Sequence, residues 1–183
     1  MREIIFRGKR IDNGEWVFGY YVKINTPLGN THRIYTGEYE QDNPDYPIFY
    51  DVEEKSVGQF TGLYDATKWE ELTNDEQASW LATKKTREEW KGKEIYENDI
   101  VRVYSNNDIQ FIDIIEYQGS FFAPRYSCQT METLLHIGVT FKVIGNITDT
   151  LKWWRQYETN YVVECRRVNK RGVDLCLAHT EKK

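Results

Sequence analysis

Glu94, Glu97 and Asp99 are the best candidate carboxylate cluster in this chain for general acid–base chemistry. Such chemistry needs the carboxyls held in a cleft with displaced pKa values, and no spacing rule places these three that way. His32, His136 and His179 are far apart and carry none of the His/Glu spacings that hold a metal, so no metal ligand and no cofactor is expected. Cys128, Cys165 and Cys176 include no CxxC pair. Ser127 beside Cys128 lacks the glycine-flanked turn that exposes a nucleophile. Gly58, Gly62, Gly92 and Gly145 do not make a phosphate cradle, because no glycine-rich run opens a helix. These glycines read as structural, and no catalytic residue is assigned.

The pattern that stands out is basic. Arg166, Arg167, Lys170 and Arg171 cluster around the turn of an expected C-terminal β-hairpin with arms at 161–168 and 173–179. Pairing Val168 with Val173 sets Arg167 opposite Asp174 and Cys165 opposite Cys176, a register in which apolar and opposite-charge pairs agree. Arginine forks at such a tip suit phosphates or a partner's carboxylates, so these four residues are the expected partner- or RNA-binding site. The bland alternative is a hairpin kept from aggregating by charges along its edge.

The elements that would carry these residues are mostly strands. The segment 16–24 is aromatic and β-branched and follows the turn Asp12-Asn13-Gly14. Further strands are expected at 100–104, 109–117, 121–126 and 139–147. The stretch 37–54 holds seven acidic residues, Pro44 and Pro47 and no Lys or Arg, and reads as an exposed loop around a short strand at 48–52. One segment breaks the pattern. Thr73-x-x-Glu76 and Thr86-x-x-Glu89 are capping boxes, so 73–90 is expected as one broken helix or two short ones, with Leu72, Trp80 and Leu81 on its apolar side.

Composition bounds the rest. At 183 residues with 40% hydrophobic and 29% charged residues, and with six Trp, 13 Tyr and eight Phe, the chain can bury a sizeable core without disulfides. The net charge of −5 argues against coating nucleic acid wholesale, although a local basic patch can coexist with it. The charged start of the sequence and the lack of 18 consecutive apolar residues predict neither a signal peptide nor a membrane span, and the separated cysteines suit a reducing, cytoplasmic setting.

Several motifs also resemble the YopX family of bacteriophage and prophage proteins. They are Arg2-Glu3-Ile4-Ile5-Phe6-Arg7, Val57-Gly58-Gln59-Phe60-Thr61-Gly62-Leu63, the run from Gly92 through Val101 (GKEIYENDIV), and Val143-Ile144-Gly145-Asn146-Ile147. In that family the second and third pieces are nearly contiguous, whereas here the helical segment separates them. The resemblance implies a β-rich fold and a phage context and carries over no catalytic residue. The expectation is therefore a mainly β, β-rich α+β protein. Residues 1–150 would form a small antiparallel sheet or barrel body with a helical insertion at 68–91, and 151–183 a short helix and the hairpin. The expected function is that of a phage accessory protein that binds and antagonises a host defence nucleoprotein such as an RNA-guided nuclease. Its acidic surface would mimic nucleic-acid charge, or its hairpin would contact the bound guide RNA. The rival classes are a metal-independent, ribonuclease-like enzyme using His179 or Tyr161, and an interaction protein of other role.

Changing Arg166, Lys170 and Arg171 to Glu, sparing Arg167 for its pairing with Asp174, is expected to leave the melting transition near wild type, since exposed substitutions rarely move stability by more than about 0.5 kcal/mol. The same variant should lose partner or RNA association and the salt dependence that goes with it. Unchanged binding at low and moderate salt would remove the hairpin from consideration.

Overall fold

The computed structural model describes residues 4–150 apart from 28, 107, 126 and 128, together with Trp154 and the backbone of 161–162 and 180–181. Within these residues the chain packs as two compact units, one of residues up to 62 with 96–98, the other of 63–95 with the described residues from 99 onward.

The first unit is built on a meander. Its strands are β1 (Phe6–Lys9), β2 (Trp16–Thr26), β3 (Gly29–Glu40) and β4 (Asn43–Asp51). They belong to a six-stranded antiparallel sheet of order β4-β3-β2-β1-β5-β6, where β5 is Gly58–Tyr64 and β6 is Glu94–Tyr96. The expected strand at 16–24 is present as most of β2. The stretch 37–54, expected as a loop around a short strand at 48–52, is mostly strand: residues 37–40 continue β3, a two-residue turn follows, and 43–51, which take in most of that expected strand, pair back along β3. Proline is tolerated there because β4 is an edge strand, where a missing N–H leaves no ladder bond unmade in the sheet interior.

The second unit holds a four-stranded antiparallel sheet of order β10-β7-β8-β9, from β7 (Asp99–Ser105), β8 (Asp108–Tyr117), β9 (Phe122–Pro124) and β10 (Thr140–Asn146). All four strands were expected, β9 as a longer one. Alternation along β7 sends Val101 and Val103 to one face, where they pack with Ile95, Phe111, Ile115, Phe122 and Phe141. Ile100 goes to the other face, with Ile114 and the indole of Trp154, which is 2% exposed. A six-residue helix that sequence periodicity does not announce, α2 (Met131–His136), drops Met131 and Leu134 into the larger cluster after Thr130 caps its first turn.

The helical segment begins with a single 3-10 turn at Trp69–Glu71, followed by α1 (Asn74–Ala82) and a second 3-10 turn at Arg87–Glu89. Both capping boxes form. Thr73 Oγ1 accepts from the Glu76 amide while Glu76 returns a carboxylate oxygen to the Thr73 amide, and Thr86 and Glu89 repeat the exchange. The break between them falls at Lys84, whose φ of +61° ends the helix. Of the three residues expected on the apolar side, Leu72 is buried and Trp80 half-buried, but Leu81 is 51% exposed, and α1 itself buries no side chain.

What fastens this segment is a single carboxylate. Asp65 is buried, and its Oδ1 accepts from the amides of Thr67 (2.9 Å) and Lys93 (2.8 Å), its Oδ2 from the Thr67 hydroxyl (2.8 Å) and the Val143 amide (2.9 Å). The backbone of Gly92 passes so close that a Cβ there would stand 2.0 Å from the Asp65 carbonyl oxygen, and its φ of +112° is one that only glycine adopts without strain. Lys93 to Glu76 (2.6 Å), Lys142 to Glu71 (2.5 Å) and the Trp90 indole N–H to the Thr67 carbonyl (2.9 Å) add to the hold.

No sheet among the described residues closes into a barrel, so the barrel alternative gives way to open sheets. Farther along the chain β11 (Tyr161–Val162) pairs antiparallel with β12 (Thr180–Glu181), and the hairpin arms and turn expected between them lie outside the described residues. The pairs are Tyr161 with Glu181 and Val162 with Thr180, one residue away from the straight extension of a Val168–Val173 register. Among the described residues no helix is long and apolar enough to cross a membrane.

Asp65→Asn turns one acceptor into a donor facing an amide donor, and is expected to lose roughly 3 kcal/mol, about 10 °C in melting temperature for a chain of this size. Gly92→Ala should cost at least as much by forcing the backbone off Asp65. An Asp65→Asn protein melting within about 2 °C of wild type would show that the carboxylate is not what fastens the segment.

Candidate interaction face

The first unit's sheet has two unlike faces. On one, Val17, Ile34 and Val52 form a small core with Phe6, Tyr50 and Val57 against it. Alternation sends the intervening residues of β2 the other way, and there Phe18 (49% exposed), Tyr20 (53%) and Val22 (40%) stand in the open. The ladder continues the pattern across strands, because cross-strand partners share a face: Tyr20 pairs with Tyr35, and Tyr35 with Phe49. Gly19 makes the close approach possible, since a Cβ at its φ of +152° would lie 2.0 Å from the Tyr35 carbonyl oxygen.

The result is a band of rings running across the sheet. Phe49 meets Tyr35 at 5.3 Å between centroids, and Arg33, hydrogen-bonded to Asp51 at 2.7 Å, lies 4.3 Å over Phe49. Phe18 meets Tyr96 at 5.9 Å and Phe60 meets Tyr96 at 5.4 Å, while the Arg7 guanidinium sits 4.6 Å over Tyr96 and 4.9 Å over Trp16. Beyond the band, the end of the β3–β4 hairpin exposes Tyr39 (58%) and Tyr46 (61%) among the exposed carboxylates of Glu38, Glu40, Asp42 and Asp45. Aromatic and arginine side chains of this kind dominate the energetics of protein interfaces, and Phe18, Tyr20, Val22 and Phe49, exposed beside the buried Tyr96, make this face the candidate interaction surface.

One feature of the opposite face looks like chemistry. His32 is buried, its Nδ1 is 2.6 Å from the Tyr21 hydroxyl, and its Nε2 is 3.5 Å from Glu54, with the Tyr21 and His32 rings stacked at 5.9 Å. Burial, and then the Glu54 charge, push the Tyr21 hydroxyl above its ordinary range, so it stays protonated at neutral pH. Its pairing with His32 ties β2 to β3. Sequence reasoning set His32 aside as a metal ligand; its position two residues before the buried Ile34, on the same face of β3, is the signal that it points inward.

The carboxylates singled out in the sequence lie around the turn from β6 to β7. Asp99 is buried and its carboxylate is 3.5 Å from the Asn146 amide, Glu97 is half-buried and Glu94 is exposed. Asn98 takes a left-handed backbone there, with φ of +69°, which asparagine tolerates better than most residues. Ser127 uses its hydroxyl in a local turn with Gln129, and His136 is exposed at the end of α2. Among the described residues no three His, Cys, Asp or Glu side chains group as metal ligands. Gly58 and Gly62 lie in β5 and Gly145 in β10, so none of the three opens a helix. Arg166, Arg167, Lys170, Arg171, Cys128, Cys165, Cys176 and His179 lie outside the described residues, and the side chain of Tyr161 is likewise not described.

No family model, curated protein or solved structure matches this chain.

Proposed function

We propose that this protein acts by binding, as an antagonist of a host nucleoprotein of the RNA-guided nuclease kind, and that the β3–β4 hairpin with the adjoining aromatic band is the surface that engages it. The observation that carries the reading is the alternation along the hairpin of flat rings and anions: Glu38, Tyr39, Glu40, Asp42, Asp45, Tyr46 and Phe49, all exposed. Single-stranded nucleic acid presents the same two features, flat π-faces and regularly spaced negative charge, to the proteins that hold it. A basic, aromatic-lined groove built for a strand would accept this hairpin by the same contacts. The acidity disfavours the alternatives. Nucleic acid itself is repelled by seven carboxylates without a cation between 37 and 54, and a second copy of the hairpin would bring like charge against like. Within this reading Arg166, Arg167, Lys170 and Arg171 are the proposed contact to guide RNA, and the phage setting rests on the YopX-like motifs.

The test is a cleavage assay with a guide-loaded nuclease, labelled guide and labelled target. Intact guide with lost target cleavage is the expected result, and inhibition should weaken as salt rises. Changing Glu38, Glu40, Asp42 and Asp45 to Lys should restore cleavage, with inhibition at least about tenfold weaker and the melting transition near wild type. Shortened guide RNA would instead identify a ribonuclease, and full inhibition by the charge-reversed variant would remove the hairpin from the interface.

A further inference from the structure

The segment between Thr67 and Gly92 carries three tryptophans, yet Leu72 is its one buried side chain. Indoles are costly to leave half-exposed, and here they are arranged. Trp90 stands edge-on between two others, 6.1 Å from Trp69 at 71° and 5.0 Å from Trp80 at 84°. Its orientation is set by the hydrogen bond from Nε1 to the Thr67 carbonyl, and that of Trp80 by a 2.8 Å bond to the Thr86 carbonyl. Both indole N–H groups are thereby used on the backbone.

Beside Trp69 and Trp90 opens a cavity of about 430 Å³, within the range of small-ligand sites. Lys68, Arg87 and Lys91 line it as cations. The anions along the same wall are engaged. Asp65 accepts from four donors, and Glu88 is drawn to its own backbone amide and the Thr86 hydroxyl, while Glu70 holds Arg87 in place by an ion pair. Two lysines and an anchored arginine around two indoles set edge-to-face make one combination of demands on a ligand: a flat π-system joined to an anion. Cations alone would take any phosphate, and rings alone any apolar plane.

We propose that this cavity binds a nucleoside phosphate, its base against Trp69 and Trp90 and its phosphate among Lys68, Arg87 and Lys91. Base–indole stacking tolerates every base, because each has a π-face, so the site selects the class and not the letter. The same chemistry is offered by a free nucleotide and by the phosphorylated end of a single strand. The site is distinct from the β3–β4 hairpin and its occupancy does not depend on the role proposed for that hairpin.

Equilibrium dialysis of the full chain against radiolabelled adenosine 5′-monophosphate tests it, with adenosine, inorganic phosphate and a 5′-phosphorylated single-stranded hexamer, (dA)6, as competitors. Saturable binding is expected, with adenosine and phosphate each competing at least about tenfold less well than the nucleotide, since each satisfies half the site. Hexamer competing much better than mononucleotide places the ligand at a strand end; parity places it in the free nucleotide pool. Lys68→Glu with Lys91→Glu, both on exposed positions, should weaken retention at least about tenfold with an unchanged melting curve, and Trp69→Ala should weaken it comparably. No retention of nucleotide or hexamer at millimolar concentration, adenosine competing as well as the nucleotide, or undiminished binding by the double lysine variant would each overturn the proposal.

Discussion

A buried carboxylate with four hydrogen-bond donors around it organises the second unit. Asp65 draws in the amide of Lys93, 28 residues on, and that of Val143, 78 residues on, together with both donors of Thr67. A charge taken from water is stable only where its lone pairs are met, so three separate stretches of backbone must converge on this one side chain. That convergence brings the two ends of the helical segment together, at Thr67 and Gly92, and lets the segment carry three indoles while burying little of itself. Neighbouring bonds repeat the arrangement, the Asp65 amide to the Lys93 carbonyl and the Ala66 amide to the Phe141 carbonyl.

The first unit obeys a different constraint. Period-two alternation gives a sheet two faces, and here the residues that could fill a core on both sides do so on one only. Val17, Ile34 and Val52 are covered, whereas Phe18, Tyr20, Val22 and Phe49 are not. The edge strand is guarded against strand addition by Pro44, Pro47 and its acids, the usual protections of an exposed edge. The face left apolar lies beside an edge made unfit for pairing, and the hairpin there exposes rings and carboxylates, the side chains on which the proposed recognition rests.

Local signals were readable from the sequence and non-local ones were not. Both capping boxes, β2, β7, β8 and β10 follow from residues within a few positions of one another. The strand expected at 48–52 is the second half of β4, whereas its first half was read as loop because Pro44 and Pro47 weigh against a strand, an inference sound for a central strand and overridden at an edge. Leu81 was read as apolar-side because α1 has the pattern of a packed helix, yet its fastening runs through caps and ion pairs instead of a buried stripe. Asp65-x-Thr67 carries a local turn signal, but nothing nearby in sequence announces Lys93 or Val143 as its partners. The exposure of Tyr39, Tyr46 and Phe49 likewise depends on which face of the sheet is covered, which composition does not encode.

The central claim is that rings of the first unit are a contact surface and not an unfilled core, and hydroxyl-radical footprinting reads that side chain by side chain. In the free protein Phe18, Tyr20, Tyr39, Tyr46 and Phe49 should oxidise readily while Phe122 and Phe141 resist. On adding the guide-loaded nuclease, protection should concentrate on Tyr39, Tyr46 and Phe49. A complex that forms while these three oxidise as fast as in the free protein would contradict the account.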